Sequence, residues 1–402
     1  MRRVYLDYGA TTPLHPAVLE AMLPYFQEVF GNPQSLHWAG VEARRAVDGA
    51  RERVARLINA EPEEIIFTSS GTEANNMAIK GVAWARRRKG NQIIISAIEH
   101  PSVLNSAKAM ERAGFQVIPV SVDSYGLVDP DAVKALITPE TALVSITHAS
   151  NEIGTIEPIA EIAKVTREMG VPLHTDAIQA VGQIPVDVKE LGVDLLSLAG
   201  HQFYGPKGSG ALYIRRGTRI TPFINGGIQE EGRRAGTEDV PAIVGLGKAA
   251  EIAKEEIPKR MAHLTPLRDR LIDGLLDRID HIHLNGHPTV RLPNNVNVSV
   301  EYVEGEGVLL HLNDLGIAAS SGSACISGAL KASHVLTAIG VPPEVAQGTL
   351  LFTLGMENTE EDIAYLLREL PPIVERLRMM NPIYRGSGGK GNDTRAGGHR
   401  RP

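Results

Sequence analysis

Five apolar segments of the chain each end in polar residues whose types could do chemistry. In chain order these ends are "SSGTEANN", "AIEHPSV", "HASNEIGT", "HTDAIQAVG" and "SLAGHQF". They supply two imidazoles, two amides, one carboxylate and the start of a helix, from His100, His201, Asn151, Gln179, Asp176 and the pair Gly71 and Thr72. Five polar strand ends are hard to explain as separate helix caps, so we expect them to meet in one site.

The first of these segments suits a phosphate group. Gly71 and Thr72 lie where a helix is predicted to begin, and free backbone N–H groups at the positive end of a helix dipole favour an anion. A Ser/Thr-Gly pair before a helix is more often an ordinary cap, so this signal is weak by itself. His201 supplies a second candidate phosphate ligand from another segment end.

The remaining polar residues suit a flat ring that contains a pyridine nitrogen. Asp176 could keep that nitrogen protonated, and His100 could stack on the ring face. Asn151 or Gln179 could bond to a ring oxygen. With the phosphate ligands, this set indicates pyridoxal phosphate, whose chemistry depends on an acidic partner for the pyridine nitrogen.

An α/β fold is predicted to position these residues. Short segments that are apolar throughout, rather than alternating, are each followed by a helical pattern, which is typical of a mostly parallel sheet covered on both faces. We expect seven such strands in the larger domain, within "EIIFTSS", "NQIIISAI", "FQVIPVSV", "TALVSITH", "PLHTDAI", "DLLSLAG" and "GALYIRR".

A smaller α+β domain is predicted from the change in pattern after residue 260. A long helix is expected over about 240–279, broken or kinked near Pro258. The domains are assigned to residues 13–260 for the large one, and to 1–12 with 261–385 for the small one. The Gly-rich, basic residues 386–402 are predicted to be a disordered tail.

Composition narrows the function classes. The 402 residues are 43% hydrophobic and 22% charged, with a net charge of −6, which gives no electrostatic reason to expect nucleic acid as a partner. No apolar run approaches the ~20 residues needed to cross a bilayer, so we expect no membrane association and a cytoplasmic location. The single cysteine, Cys325, excludes an intramolecular disulfide and a cysteine-cluster metal site.

Many ordered motifs resemble the cysteine desulfurases of iron–sulfur cluster assembly and nitrogen fixation. This resemblance covers residues 4 to 384, and no single motif carries it. The motifs are "YLDYGATTP", "FGNPQSLHWAG", "FTSSGTEANNMAIKG", "EHPSVL", "NEIGT", "DAIQAVGQ", "YGPKGSGALYIRR", "RRAGTEDVP", "NNVNVSV" and "SSGSACISG". The resemblance implies the type I fold of pyridoxal-phosphate enzymes, L-cysteine as substrate and an iron–sulfur scaffold protein as sulfur acceptor.

The resemblance also implies residue roles. Cys325 would attack the substrate sulfur as a thiolate and become a persulfide. Free cysteines usually behave as small buried hydrophobes, but the Ser and Gly residues around Cys325 favour the reactive role. His100 would stack on the cofactor and move a proton. Thr237 would reach the cofactor phosphate of a partner subunit, which implies a homodimer.

Three positions depart from the family pattern. Gln202 stands where the family has its Schiff-base lysine, and an amide nitrogen cannot condense with an aldehyde because its lone pair is delocalised. Lys207 belongs to a Gly-Pro-Lys-Gly turn that the family has in addition to that lysine. Ala199 replaces a phosphate-binding serine, and Leu351 replaces an arginine that pairs with the substrate carboxylate.

Two functions remain open from the sequence. The first is a cysteine desulfurase that converts L-cysteine to L-alanine with a persulfide on Cys325, impaired by the loss of the lysine, with pyridoxal phosphate held non-covalently or absent. The second is a non-catalytic sulfur carrier or scaffold partner that uses Cys325 for a persulfide or as an iron–sulfur ligand. Selenocysteine lysis is disfavoured because it would not require a long cysteine loop.

A metal site is not expected. His281 and His283 alternate on a predicted strand in "DHIHLNGH", with His287 close by. No further ligand with suitable spacing follows, so we interpret these residues as a polar strand surface.

Overall fold

The computed structural model describes residues 2–322, 333–382 and 384. The strands in this part of the chain are β1 Val4–Tyr5, β2 Ile65–Thr68, β3 Gln92–Ser96, β4 Gln116–Val120, β5 Thr141–Ser145, β6 Leu173–Asp176, β7 Leu195–Ala199, β8 Gly210–Ile214, β9 Ile282–Leu284, β10 Asn295–Val300, β11 Ile317–Ala318 and β12 Thr349–Thr353.

The α-helices are α1 Pro16–Met22, α2 Pro24–Gln27, α3 Trp38–Leu57, α4 Gly71–Arg86, α5 Pro101–Glu111, α6 Pro130–Leu136, α7 Ile159–Glu168, α8 Val188–Leu191, α9 Val240–Arg278, α10 Gly305–Asp314, α11 His334–Ala338, α12 Pro343–Ala346 and α13 Glu360–Met380. Short 3-10 helices cover Pro62–Glu64, Gly200–Gln202 and Gln229–Gly232.

Seven strands form the larger sheet in the order β2-β8-β7-β6-β5-β3-β4. The pairs β4–β3, β3–β5, β5–β6 and β6–β7 are parallel, and β8 is antiparallel to both of its neighbours. The predicted α/β fold with a mostly parallel seven-stranded sheet is therefore confirmed. The carboxyl ends of the parallel strands meet at one edge, where the polar segment ends were expected.

Helices cover both faces of this sheet. Ile94 of β3 packs into the apolar cluster that contains residues of α3 and α9, whereas Ile93 and Ile95 pack into the cluster formed with α4 and α5. Successive side chains of a strand point to opposite faces, so a strand covered on both sides must be apolar at every position. This arrangement explains the uninterrupted apolar segments in the sequence.

A three-stranded antiparallel sheet, in the order β12-β10-β9, forms a second unit with the parallel pair β1–β11. Its apolar cluster includes Val4, Leu271, Val298, Phe352 and Leu366. The domain boundaries drawn from the sequence stay a prediction.

Helix α9 contributes to both clusters, through Ile257 to the first and Leu264 to the second. A break or a kink was predicted near Pro258. The helix has no break there, because α9 runs through Pro258 and Pro266, and the kink stays a prediction. A proline inside a helix removes one hydrogen bond, and burial of the helix on both sides of it offsets that loss.

The predicted tail, 386–402, lies outside the described residues. None of the helices in the described ranges is long and apolar enough to span a bilayer.

Candidate functional site

Asp176 ends β6 and is buried at the carboxyl edge of the sheet. Its carboxylate accepts hydrogen bonds from Asn75 Nδ2 at 2.7 Å and from the Ile178 backbone N–H at 3.0 Å. Burial raises the pKa of Asp176, and the nearby His100 acts in the opposite direction. A buried carboxylate beside an imidazole suits the stabilisation of a positive charge in this cleft.

His100 caps the N-terminus of α5 and is linked to Asp176 through two side chains. Its Nδ1 accepts from the Ser102 backbone N–H at 3.1 Å, and Ser102 Oγ lies 2.7 Å from the same nitrogen. Asn75 Nδ2 donates to Ser102 Oγ at 2.8 Å as well as to Asp176. Because Nδ1 accepts a backbone N–H, the neutral ring carries its proton on Nε2.

Sequence reasoning missed Asn75 and Ser102. Asn75 is fully buried on α4 among Ala74, Met77 and Ala78. A polar residue on an otherwise apolar helix face was the signal that could have identified it, because buried amides are normally hydrogen-bonded.

Gln202 is 5% exposed and lies in the 3-10 helix that follows β7. Its Nε2 donates to the Gly9 carbonyl at 2.9 Å, and its backbone carbonyl accepts from Gln183 Nε2 at 3.2 Å. Gln179 Nε2 donates to the same Gly9 carbonyl at 3.0 Å. The segment "DYGATTP" is thus bound to the ends of β6 and β7 by two neutral amides, and Gly9 carries no sequence signal for this role.

The helix start predicted to hold phosphate packs against the same strand ends. A Cβ atom on Gly71 would lie 2.2 Å from Ile178 Cδ1 and 3.3 Å from Ala199 Cβ, so a larger residue here would require the Ile178 side chain to shift. Thr72 is exposed, whereas His201 is half-buried. Burial and the Lys207 ammonium lower the pKa of the His201 imidazole.

Two of the predicted cofactor-binding residues, Asn151 and Thr237, contact fewer of the residues around Asp176. Asn151 is half-buried after β5, and its carbonyl lies 3.5 Å from Asn295 Nδ2. Thr237 is exposed in the segment before α9. That segment reaches the first turn of α4, where Arg234 Nε donates to Glu73 at 2.7 Å.

Lys207 is the lysine nearest to residue 202 in the sequence. Its side chain is exposed, and Nζ donates to the Thr12 carbonyl at 3.3 Å. Leu351 is buried in β12. Leu351 Cδ2 and Glu152 Cγ lie 3.5 and 3.7 Å from where a Cβ atom on Gly322 would be.

Cys325 lies outside the described residues, within 323–332. The residues on either side, Gly322 and Ser333, both lie beside Glu152. Glu152 is buried, and burial raises its pKa to about 7, with the Ser333 hydroxyl opposing this shift.

The histidines of "DHIHLNGH" do not share one strand. His281 precedes β9 with a positive φ of 51°, which corrects the predicted alternation because a left-handed residue leaves the strand geometry. Glu301 lies 2.6 Å from His283 Nε2 and 3.9 Å from His281 Nδ1. His287 instead accepts backbone N–H groups of Thr289 and Val290. The part of the chain that the structure describes contains no group of three side chains able to hold a metal ion.

The family model for "Aminotransferase class-V" matches residues 4–366. This chain belongs to the aminotransferase class-V family. Its relatives include the cysteine desulfurase IscS of Dictyoglomus turgidum, 54% identical over 95% of this chain and 97% of that protein. The cysteine desulfurase IscS of Methanosarcina thermophila is also 54% identical, over 95% and 94% of the two chains.

Solved structures agree with this family assignment. A NifS-like protein superposes with a TM-score of 0.88 at 38% identity, over 93% of this chain and all of that one. A NifS-like protein from Rickettsia africae gives a TM-score of 0.84 at 32% identity, over 93% of this chain and 100% of that one. The chain is therefore an IscS/NifS-type member of the class-V aminotransferases, which are pyridoxal-phosphate enzymes.

The described residues fit pyridoxal phosphate as a non-covalent ligand. Asp176 and His100 offer the acid and the imidazole, and Asn75 Oδ1 is buried with no partner among the described residues. The site does not fit covalent attachment at residue 202, because a buried amide bonded to Gly9 stands there. An amide cannot act as the nucleophilic amine of this chemistry.

Proposed function

We propose that this chain is a cysteine desulfurase-like protein of iron–sulfur cluster biogenesis that holds pyridoxal phosphate without a covalent bond. Its turnover of L-cysteine to L-alanine and a Cys325 persulfide is low or nil. The observation that carries this proposal is the buried Gln202 amide, which donates to the Gly9 carbonyl.

The retained residues support binding and proton movement. Asp176 places a buried carboxyl group at the edge of the sheet, and Gly71 begins a helix whose N–H groups suit a phosphate. His100 can give up or accept a proton at Nε2 because Nδ1 is occupied by Ser102. When bound, pyridoxal phosphate supplies an electron sink for bonds at the substrate Cα.

The departures weaken the step that moves the substrate Cα proton. Gln202 has no basic nitrogen, and Lys207 lies on the surface against the Thr12 carbonyl. Leu351 stands at the position that the resemblance assigns to a substrate-binding arginine, and its side chain cannot pair with a carboxylate. The loss of the lysine affects the chemical step, and the loss of the arginine affects substrate binding. The groups around Asp176 remain in place.

A second candidate function is that of a sulfur carrier or scaffold partner. Cys325 is retained in "SSGSACISG" although residues 202 and 351 have departed from the family pattern. A thiol can accept and donate a persulfide sulfur without the lysine, or ligate an iron–sulfur cluster. Pull-down of an iron–sulfur scaffold protein by the native chain, but not by Cys325→Ala, would favour this role.

A homodimer in the cytoplasm is the proposed functional unit, with Thr237 directed to the partner's cofactor phosphate. Large apolar side chains are exposed along one stretch, including Phe30, Leu36 and Trp38 at 72%, 97% and 70%. Gln34 Nε2 donates to Glu238 at 2.8 Å, which joins this stretch to the segment that contains Thr237. Exposed apolar surface of this kind marks association sites. Comparing the sedimentation of the native protein with that of Trp38→Glu tests whether the chain is a dimer.

Sulfide release from L-cysteine with excess pyridoxal phosphate tests the proposed function. We expect the native chain to be silent or slow, Gln202→Lys to gain activity, and Gln202→Lys with Leu351→Arg and Ala199→Ser to gain more. Gln116→Lys, which adds an amine to an exposed residue at the start of β4, is the control and should gain nothing. Rapid sulfide release by the native chain would contradict the proposal, whereas silence from every variant would favour the carrier role.

A further inference from the structure

The turn before α4 is organised by one carboxylate, that of Glu73 in the first turn of the helix. Its Oε2 accepts from the Ser69 backbone N–H at 2.8 Å and from the Ser69 hydroxyl. The Glu73 N–H in turn donates to Ser70 Oγ at 3.1 Å, which caps the helix. Glu73 therefore fixes the backbone that leads into α4, where the N–H groups of Gly71 and Thr72 have no partner within the helix.

The position of this carboxylate is unfavourable for a site that binds an anion. Glu73 directly follows Thr72, and its side chain is only 10% exposed, so water screens its charge poorly. A negative charge in the first turn is favourable for the helix dipole, but it opposes the binding of a phosphate at the same end. The turn therefore needs a cation if it is to hold both the carboxylate and a phosphate.

Arg234 supplies that cation from a distant segment of the chain. Its Nε donates to Glu73 Oε1 at 2.7 Å and its Nη2 donates to Oε2 at 3.2 Å, as in a two-pronged ion pair. Burial acts to raise the pKa of Glu73, but the hydrogen bonds from Arg234 and Ser69 together lower this pKa below its ordinary value. The carboxylate is therefore ionised at neutral pH, with the guanidinium beside it.

The two other carboxylates near Arg234 have partners of their own. Glu230 accepts from both terminal nitrogens of Arg51 at 2.7 Å, and Glu238 accepts from Gln34 Nε2 at 2.8 Å. The guanidinium of Arg234 therefore balances the charge in the first turn of α4.

We propose that Glu73 and Arg234 are positioning residues for the cofactor phosphate: the carboxylate shapes the turn before α4, and the guanidinium cancels its charge. The proposal deepens the proposed function, because it rests on a phosphate binding at this helix start. Neither side chain touches the phosphate in this account. The balance of the two charges, rather than the presence of either side chain, sets the affinity for the phosphate.

Equilibrium dialysis of the full chain against pyridoxine phosphate tests the proposal without covalent chemistry, because this compound has no aldehyde. Pyridoxine is the second probe, and the ratio of the two dissociation constants gives the preference for the phosphate. We expect Arg234→Gln to lower this preference about tenfold, since one uncompensated charge about 10 Å away is worth roughly this factor near a protein surface. The loss should shrink in about 1 M salt, which screens such a charge.

The double variant, Glu73→Gln with Arg234→Gln, distinguishes charge balance from direct contact. The new amide oxygen can still accept from Ser69, and neither charge remains, so the preference for the phosphate should return to near the native value. Glu73→Gln alone should strengthen the preference, and Arg234→Lys, which keeps the cation, should stay near native. A double variant as weak as Arg234→Gln would overturn the proposal, because Arg234 would then contact the phosphate itself.

Arg233→Gln is the matched control. Arg233 is the neighbouring residue, but its Nη2 lies 3.3 Å from Glu231 Oε2, so the same loss of one positive charge should leave the preference unchanged. An unchanged preference in Arg234→Gln, or an equal loss in Arg233→Gln, would also overturn the proposal. If Arg234→Gln fails to fold, Glu73→Gln decides the question, because charge balance predicts a stronger preference and a purely structural role predicts a weaker one.

The proposed function and the role of the ion pair fail in different ways. A native chain that binds neither probe would contradict the proposed function. The same variants in a Gln202→Lys background then test the ion pair, through the concentration of pyridoxal phosphate that half saturates each protein. In that background Arg234→Gln should need about tenfold more cofactor, and the double variant should not.

Discussion

The side-chain amides of Gln179 and Gln202 donate to one acceptor, the Gly9 carbonyl, at 3.0 and 2.9 Å. The two donors come from different strand ends, after β6 and β7, and the acceptor comes from the N-terminal segment. The position that the resemblance assigns to a reactive amine therefore has a structural role in this chain. Gln202 contributes to stability here rather than to covalent chemistry.

Removing both amides should cost more than the sum of the single removals. After Gln179→Ala or Gln202→Ala, the Gly9 carbonyl keeps one donor, so each change should cost about 1 kcal/mol of unfolding free energy. The double variant leaves the carbonyl without either donor and should add about 1 kcal/mol of coupling. Urea unfolding of the four proteins measures this. Strict additivity would show that the two amides do not share an acceptor.

Asn75→Ala should destabilise the site strongly. It removes the donors to Asp176 and Ser102, and a buried carboxylate that loses a partner costs about 2–4 kcal/mol. The pKa of Asp176 should rise further. The neighbouring Asn76→Ala is the control, because Asn76 donates only to the Thr72 carbonyl on the exposed side of α4. Equal losses of unfolding free energy in the two variants would contradict the hydrogen-bonded chain.

Glu157 should make the protein less stable at alkaline pH. Burial raises its pKa to about 8 in the folded state, above the ordinary value of 4.5. Its contribution to stability is therefore fully present below about pH 4.5 and is lost as pH rises through about 8.

Glu157→Gln should not show this loss. Between about pH 5 and pH 9, the unfolding free energy of the native protein in urea should fall by about 3 kcal/mol more than that of Glu157→Gln. An unchanged difference between the two proteins across that range would show that Glu157 is hydrated in the folded state.

Leu351→Arg should interact with Glu152. The Leu351 side chain is buried, so a guanidinium there costs several kcal/mol unless it is paired. Gly322 lies against both residues, which places the new cation near the Glu152 carboxyl group, whose Oε2 accepts from the Ser333 hydroxyl. We expect Leu351→Arg to destabilise the Glu152→Gln background by about 1–3 kcal/mol more than the native one. Equal costs in both backgrounds would show that the side chains do not meet.

The sequence allowed the sheet and most of the strand-end residues to be predicted. Strands covered on both faces leave a continuous apolar signal, and Asp176 and His100 follow such strands directly. Contacts between distant segments could not be predicted, because the meeting of Gly9 with Gln202, or of Glu152 with Ser333, is set by packing of the whole fold.

The errors have local causes. Pro258 was predicted to break or kink α9, but packing on both sides of it keeps the helix unbroken. His281 was placed on a strand from alternation alone, although β9 begins at Ile282 and His281 has a positive φ. Both cases show tertiary context overriding a local pattern.

Borohydride reduction with equimolar pyridoxal phosphate, followed by intact-mass measurement and peptide mapping, tests the central claim most directly. The native chain should gain no mass at any single site, while Gln202→Lys should gain one reduced cofactor on residue 202. A stoichiometric adduct on one lysine of the native chain would contradict the account, because another amine would then have taken over the position lost at Gln202.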